Sequence, residues 1–319
     1  MNFIEIDGQE GGGQILRTSL SLSVILNKPI RIFNIRKNRP KPGLKNQHLM
    51  CINSLKEICN ADVEGAYFGS QEIIFIPGNI ISKNYSFDIQ TAGAIGLVIQ
   101  TILPLAFSIT SELKINIKGG THVPLAPTIT YIQKVFLPVL EEIGIKAKIN
   151  CLSYGFYPKG GGEVEIYIWP VKYIKSLRFE DKKEEIKTEI LLCNLPDHIA
   201  KREIEVLKGY TKNIKIIKDS SSTGNCITVY TRYKGSTGLG KIGFPAEKIA
   251  KDTINEFKGF NSSLDKYLVD QILIYLALCN KRSELNISEL SEHAKSNILV
   301  IEKFLGNIFE FNGNKLIRK

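Results

Sequence analysis

At 319 residues the chain is longer than one compact core usually runs, so two domains, or one domain with an insertion, is the starting expectation. Its 43% hydrophobic and 23% charged residues are ordinary for a globular protein, no run of about 18 apolar residues offers a membrane span, and MNFIEIDG, with acids where a signal peptide would have a basic start, is expected to be a strand entering the fold. A net charge of +10 draws polyanions, nucleic acid foremost, while six scattered cysteines without a CxxC pair exclude the usual zinc and dithiol motifs and fit a reducing, cytoplasmic compartment.

NFIEID alternates as a strand, GGGQILRTSLSLSVILN carries apolar residues at helical spacing, and PIRIFNIR is a second strand. A helix through NQHLMCINSLKEIC and two short strands, DVEGAY and EIIFIPG, complete a β-α-β-α-β-β order. The order returns in YSFDIQ, TAGAIGLVIQTILPLAFSI, ELKINIKGG, TYIQKVFLPVLEEIG, AKINCLS and EVEIYIWP. Self-similarity at a period of roughly 85 residues implies stacked copies of one supersecondary unit.

A third copy begins at SLRFED and stops. ILLCNL, a helix through IAKREIEVLKGY, IKIIKD, CITVYTRYK and the helix PAEKIAKDTINEFKG then form a separate α/β pattern. LDKYLVDQILIYLALC, ELNI, a helix from His293, IFEF and KLIRK complete the interrupted unit. The expected fold is α/β: three β-α-β-α-β-β units, each a sheet with two helices, plus a small α/β domain inserted in the third. Residues 1–181 and 262–319 make up the repeat-built part, and residues 182–261 the insert.

EGGGQILR, residues 10 to 17, puts glycines where a strand turns into a helix, exposing backbone N–H groups at a positive dipole end that suits a phosphate. Such a run also serves as a plain tight turn. Glu10 is a potential metal ligand beside a phosphate, and Arg17 a fixed cation further along the helix. RKNRPKPGLKNQH carries Arg36, Arg39, Lys41 and Lys45 around two prolines that restrict the loop, so these cations either meet phosphate oxygens or form a solvated basic loop. No aromatic residue interleaves them, so a base-stacking platform is not expected there. The glycine-rich GGTHVPLAP and GFYPKGGGEV either line a cleft or merely turn, and the SSSTGN loop of the insert supports no specific role. His48, His122 and His198 read as ordinary polar residues without a second ligand at a recognisable spacing.

SEHAKSNILVIEKFL places His293 at a helix start, where the dipole and a nearby basic cluster disfavour imidazolium. A neutral imidazole nitrogen is a competent nucleophile toward a phosphoryl centre. Glu292 is expected to pull the other way, and Ser296 and Asn297 to orient the ring or a ligand. These residues alone also allow an ordinary polar first turn.

Together EGGGQILR, RPKPGLKNQH, FGSQEIIFIPG, QTILP, GGT…AP, GFYPKGGGEV, YLVDQ and HAKSNILVIEKFL resemble, in the same order and nearly end to end, the RNA 3′-terminal phosphate cyclase family. The resemblance implies the three-repeat fold with its insert and an ATP-dependent reaction on RNA ending in a 3′-phosphate. In it a histidine attacks the α-phosphorus of ATP to form a covalent histidine–AMP and release pyrophosphate. AMP then passes to the RNA 3′-phosphate, and the vicinal 2′-OH displaces it to give a 2′,3′-cyclic phosphate.

Carried onto this sequence, the resemblance makes His293 the nucleophile and Arg17, Arg36 and Arg39 the neutralising cations, with Lys41 a weaker one. It assigns Gln14, Gln100, Tyr267, Leu268, Val269, Asp270 and Gln271 to the ATP pocket. Glu10 becomes the ligand of a divalent metal, Mg2+ or Mn2+. Ser296 departs from the threonine expected of the family while keeping the hydroxyl. Two other readings stay open: a non-catalytic cyclase-like ribosome-processing factor, which predicts loss of the histidine, and an enolpyruvyl-type transferase on the related repeat architecture.

Overall fold

The computed structural model describes residues 2–9, 11–177, 184–279, 281–287 and 289–319. Strand β1 (Ile4–Asp7), helix α1 (Gly13–Leu26), β2 (Ile30–Phe33), α2 (Asn46–Cys59), β3 (Asp62–Glu64) and β4 (Ile73–Ile76) form the first unit, with strand order β1-β2-β4-β3. Period-2 burial explains the strands: Ile30 and Ile32 point into the core from β2, and Ile73 and Phe75 from β4.

The same strand order recurs in the second unit. There β5 (Asn84–Asp88), α3 (Ile95–Ile102), β6 (Leu113–Gly119), α4 (Ile129–Tyr131), α5 (Leu137–Glu142), β7 (Ala147–Ser153) and β8 (Gly162–Ile168) give β5-β6-β8-β7. Both long apolar helices expected here are modified by proline. After α3 the chain tightens into a 3-10 turn, Leu103–Phe107, that contains Pro104. A π turn, Ile132–Phe136, separates α4 from α5, just before Pro138, whose missing N–H and ring bulk interrupt the regular ladder.

Residues 187–259 hold β9 (Lys187–Cys193), α6 (His198–Val206), β10 (Thr211–Ile217), β11 (Gly224–Tyr230), β12 (Gly235–Leu239) and α7 (Ala246–Gly259), in the sheet order β10-β9-β11-β12. Ile190, Leu192, Ile227, Val229, Ala250 and Ile254 give this sheet an apolar core separate from that of the repeats. The SSSTGN loop does have a structural role, docking this sheet on the GFYPKGGG loop. Ser222 Oγ accepts from Phe156 N–H at 2.7 Å, and Ser221 Oγ donates to the Gly161 carbonyl at 2.6 Å.

The chain then returns to the repeats with α8 (Lys266–Leu278), β13 (Ser283–Asn286), α9 (Glu292–Leu305), β14 (Phe309–Asn312) and β15 (Lys315–Arg318), ordered β13-β15-β14. That order matches β2-β4-β3. The expected first strand of this unit, SLRFED, lies mostly outside the described residues, but Leu177 N–H still donates to Ser283 Oγ on β13 at 3.2 Å.

Helix α1 packs against α2, α3 and α9, and α9 against α8 and α1. Contacts at Gln14–Ser296, Thr18–Asn297 and Lys28–Phe304 run in the same direction along both chains, so α1 and α9 are side by side with their N-termini together. No helix among the described residues is long and apolar enough to cross a membrane.

Candidate active site

Because α1 and α9 run parallel, the two sequence features singled out as phosphate-binding and nucleophilic meet at one end of the molecule. Gly12 caps α1 with extended backbone and no side-chain acceptor, which leaves the first-turn N–H groups open to an anion. A Cβ on Gly13 would lie 2.6 Å from His48 Nε2 and 2.8 Å from Arg17 Nη1, and one on Gly12 would lie 3.4 Å from Arg39 Nη2. Bare backbone is therefore what lets two guanidiniums and an imidazole close around this loop.

His48, read from sequence as a bystander, belongs to the cluster. Its Nδ1 accepts the Lys45 N–H at 3.0 Å, so the neutral ring carries its proton on Nε2, the nitrogen beside Gly13. Burial, then Arg17, Arg36 and Lys45, hold its pKa down at about 3. Its placement depends on a helix start, the N-terminus of α2 (Asn46–Cys59), which is the third to converge here. The one local signal was a side chain three residues after the N-cap, where capping partners sit.

Arg36 serves a different end from Arg39. Its backbone is left-handed, φ +55°, and its Nη1 donates to the carbonyls of Lys41 (3.1 Å) and Gly43 (2.8 Å). The guanidinium thus braces the proline loop. Burial of Arg17 lowers its pKa, yet it remains a cation.

His293 is the second residue of α9, capped by Ser291, whose Oγ accepts from Ala294 N–H and donates to Asp270 Oδ1 at 2.5 Å. The other carboxylate oxygen of Asp270 stands 3.7 Å from His293 Nδ1. Among the described residues, Nε2 is the ring nitrogen without a carboxylate beside it. Partial burial, then Arg17, then Arg39, lower the imidazole pKa below its ordinary 6.5. The expected counter-pull of Glu292 is absent: its carboxylate pairs with Lys295 at 2.7 Å and is 87% exposed. Asp270 is itself pushed up to about 6 by burial. A neutral nucleophile beside an anion-binding cradle is suited to group transfer at phosphorus.

The RNA 3′-terminal phosphate cyclase family model matches residues 8–311. Curated relatives called RNA 3′-terminal phosphate cyclase are 39% identical in Archaeoglobus fulgidus (99% of this chain, 100% of the relative), 40% in Methanosarcina barkeri (95% and 94%) and 40% in Pyrococcus abyssi (97% and 95%). The chain belongs to the RNA 3′-terminal phosphate cyclase family.

The structure brings only some of the residues expected from that family together. Arg17, Arg39 and His293 share one electrostatic environment. Asp270 Oδ2 stands 3.7 Å from His293 Nδ1, and Gln14 donates from Nε2 to Ser296 Oγ at 2.9 Å, tying α1 to the helix that bears His293. Thr18 and Asn297 continue that tie: Thr18 Oγ1 donates to Asn297 Oδ1 at 2.8 Å, and Asn297 Nδ2 to the Asp270 carbonyl at 3.2 Å.

On α8, Leu268 and Val269 are core residues, whereas Tyr267 and Gln271 share an outer face, Gln271 Nε2 donating to the Tyr267 carbonyl at 2.9 Å. Gln271 Oε1 is buried without a partner among the described residues. Gln100 is half-buried on α3, with no hydrogen bond among the described residues that links it to the cluster. Glu10 lies outside the described residues. Among those described, no group of three or more His, Cys, Asp or Glu side chains could hold a metal.

Proposed function

We propose that this chain converts an RNA 3′-terminal phosphate to a 2′,3′-cyclic phosphate, consuming ATP, through a histidine–AMP on His293 and an RNA-(3′)pp(5′)A intermediate. The observation that carries the reading is an imidazole whose pKa is lowered by partial burial, Arg17 and Arg39 and whose Nδ1 faces Asp270, at the N-terminus of α9 beside the bare glycine turn of α1.

His293 Nε2 attacks the α-phosphorus, the bond to the bridging oxygen breaks, and pyrophosphate leaves. An oxygen of the RNA 3′-phosphate then attacks the same phosphorus and releases Nε2. Finally the vicinal 2′-oxygen attacks the 3′-phosphorus, losing its proton, and AMP departs. Converting a phosphate oxygen into AMP supplies a good leaving group for a ring closure that is otherwise slow.

Arg17 and Arg39 neutralise the charge developing on transferred and departing phosphates, the His48 Nε2–H adds a neutral donor, and Arg36 fixes the loop that carries Arg39. Gln14, Gln100, Tyr267, Leu268, Val269, Asp270 and Gln271 would form the nucleotide pocket, the two apolar residues as its wall. Glu10 would hold a divalent metal, which one carboxylate with phosphate oxygens suffices to bind and which would offset phosphate charge. Residues 182–261 would be a separate inserted domain, and the enzyme would work in the cytoplasm.

Incubation with α-labelled ATP and Mg2+ is expected to label the protein with AMP, and RNA with a 3′-phosphate, but not a 3′-hydroxyl, to discharge the label and become cyclic. Label that never forms, or that discharges alike with both RNAs, overturns the reading. Gly13→Ala should slow labelling about 100-fold, because its methyl displaces Arg17 and His48. Crowding the buried His48 is expected to cost about 1–3 kcal/mol of stability as well, so labelling is compared at a temperature where both proteins are folded. Labelling at the wild-type rate would show that the close approach at Gly13 has no catalytic use.

A further inference from the structure

The proline loop carries no aromatic residue of its own, but the fold supplies two. The turn between β3 and β4 is clamped onto this loop: Gly69 N–H donates to the Leu44 carbonyl at 2.9 Å, and Leu44 N–H to the Ser70 carbonyl at 2.9 Å. Gly43, at φ +74°, passes so close that a Cβ there would lie 2.1 Å from the Gly69 carbonyl oxygen. The turn is closed within itself by Tyr67 N–H to Gly65 O at 3.0 Å and Ser70 N–H to Tyr67 O at 3.1 Å.

On this fixed backbone Tyr67 and Phe68 stand 66% and 62% exposed, although large aromatics are costly to leave in water. Lys45 Nζ lies 4.8 Å from the Phe68 ring centroid, and Lys37, Arg39 and Lys41 are exposed on the adjoining loop. Lys45 is also the residue whose N–H fixes His48, one helical turn (roughly 5 Å) along α2 and beside Gly13. Two exposed aromatic rings on a clamped backbone, one with a cation over its face, beside the basic loop that carries Arg39 to the phosphate cradle, have the composition of a surface that stacks bases and tracks a phosphodiester backbone.

We propose that Tyr67 and Phe68 stack the nucleobases next to the reacting end of single-stranded RNA, while Lys41 and Lys45 contact its backbone phosphates. This rests on the RNA-cyclising reading and deepens it. Stacking is indifferent to base identity, so the surface would hold RNA ends of many sequences and reject ends locked in a duplex.

The test is fluorescence anisotropy with a labelled single-stranded oligoribonucleotide bearing a 3′-phosphate, in the absence of ATP. Tyr67→Ala combined with Phe68→Ala is expected to weaken binding roughly tenfold or more, with the melting temperature unchanged. Phe68→Trp should keep the affinity, and its indole emission should be quenched as RNA binds; the native Trp169 provides the background.

Wild-type affinity in the double variant, or unquenched indole emission in RNA-saturated Phe68→Trp, overturns the proposal. Cyclisation is scored separately on the same protein. Binding as expected without cyclic phosphate would overturn the activity and leave this surface standing, whereas cyclisation with undiminished binding in the double variant would do the reverse.

Discussion

AMP labelling is expected to disappear in His293→Ala, and cyclisation of 3′-phosphorylated RNA to fall by about 10⁴-fold or more, because no other side chain in the cluster supplies a free imidazole nitrogen. His48 cannot substitute: its Nδ1 is occupied by the Lys45 N–H and its Nε2 carries the proton. Asp270→Asn should retain labelling but slow it, since the ring loses the carboxylate facing Nδ1.

The pH dependence discriminates further. Burial, Arg17 and Arg39 depress the His293 pKa, so the imidazole stays neutral below pH 6.5, and the labelling rate should fall tenfold per pH unit only once pH drops through the lowered value. Arg39→Gln removes one of the two cations, so besides lowering the rate it should move this acid limb upward. Undiminished labelling in His293→Ala, or a limb that stays put in Arg39→Gln, would remove His293 from the chemistry. Titration of Asp270 at about 6 is coupled to the same limb, so the two are read as a pair.

What could be read from the letters follows from what is local. Alternating Ile residues in β2 and β4 and the 3.6-period of α1 and α9 state their own structure, and the repeated order of such segments was enough for an α/β repeat fold. Strand β12 escaped because Gly235–Leu239 reads GSTGL, with no alternation, and becomes a strand only by pairing with β11.

At the site, the glycine turn, Arg17 and His293 were legible as types of chemistry, but not as neighbours, since the α1–α9 contact spans 282 residues between Gln14 and Ser296. His48 was missed because its value comes from a capping bond and a Cα it approaches across helices. The aromatic pair Tyr67 and Phe68 was not associated with the basic loop for the same reason. Its rings come from a turn more than twenty residues downstream, and only the backbone clamp between Leu44 and Ser70 brings them to the cations.

Replacement of Asp265 should have the largest effect on folding. This residue caps α8 and is fully buried: Oδ1 accepts from the N–H groups of Tyr267 and Leu268 at 2.8 Å each, and Oδ2 from Gly235 N–H at 2.8 Å. The Tyr131 hydroxyl reaches both oxygens, at 3.0 and 2.9 Å. One carboxylate thus joins α4 of the second unit, β12 of the sheet between the units and α8 of the third. Gly235 is pressed so closely that a Cβ there would lie 2.8 Å from Val135 and 2.9 Å from the Tyr131 ring.

Asp265→Ala strands these donors in the interior at about 1–3 kcal/mol for each that finds no water, so a total of about 3–5 kcal/mol is expected. Urea or thermal unfolding should register it, and Tyr131→Phe should cost only about 1 kcal/mol because it removes a donor together with its hydroxyl. Burial pushes the Asp265 pKa up to about 6, so the folded state binds the extra proton between pH 3.8 and 6. Its contribution therefore weakens as pH rises through that window, and the cost of Asp265→Asn should shrink with it. Since α8 also carries Asp270, loosening this junction should slow AMP labelling at temperatures where the rest of the protein is still folded. A variant that unfolds like wild type would show that the three-way junction is held by its apolar contacts instead.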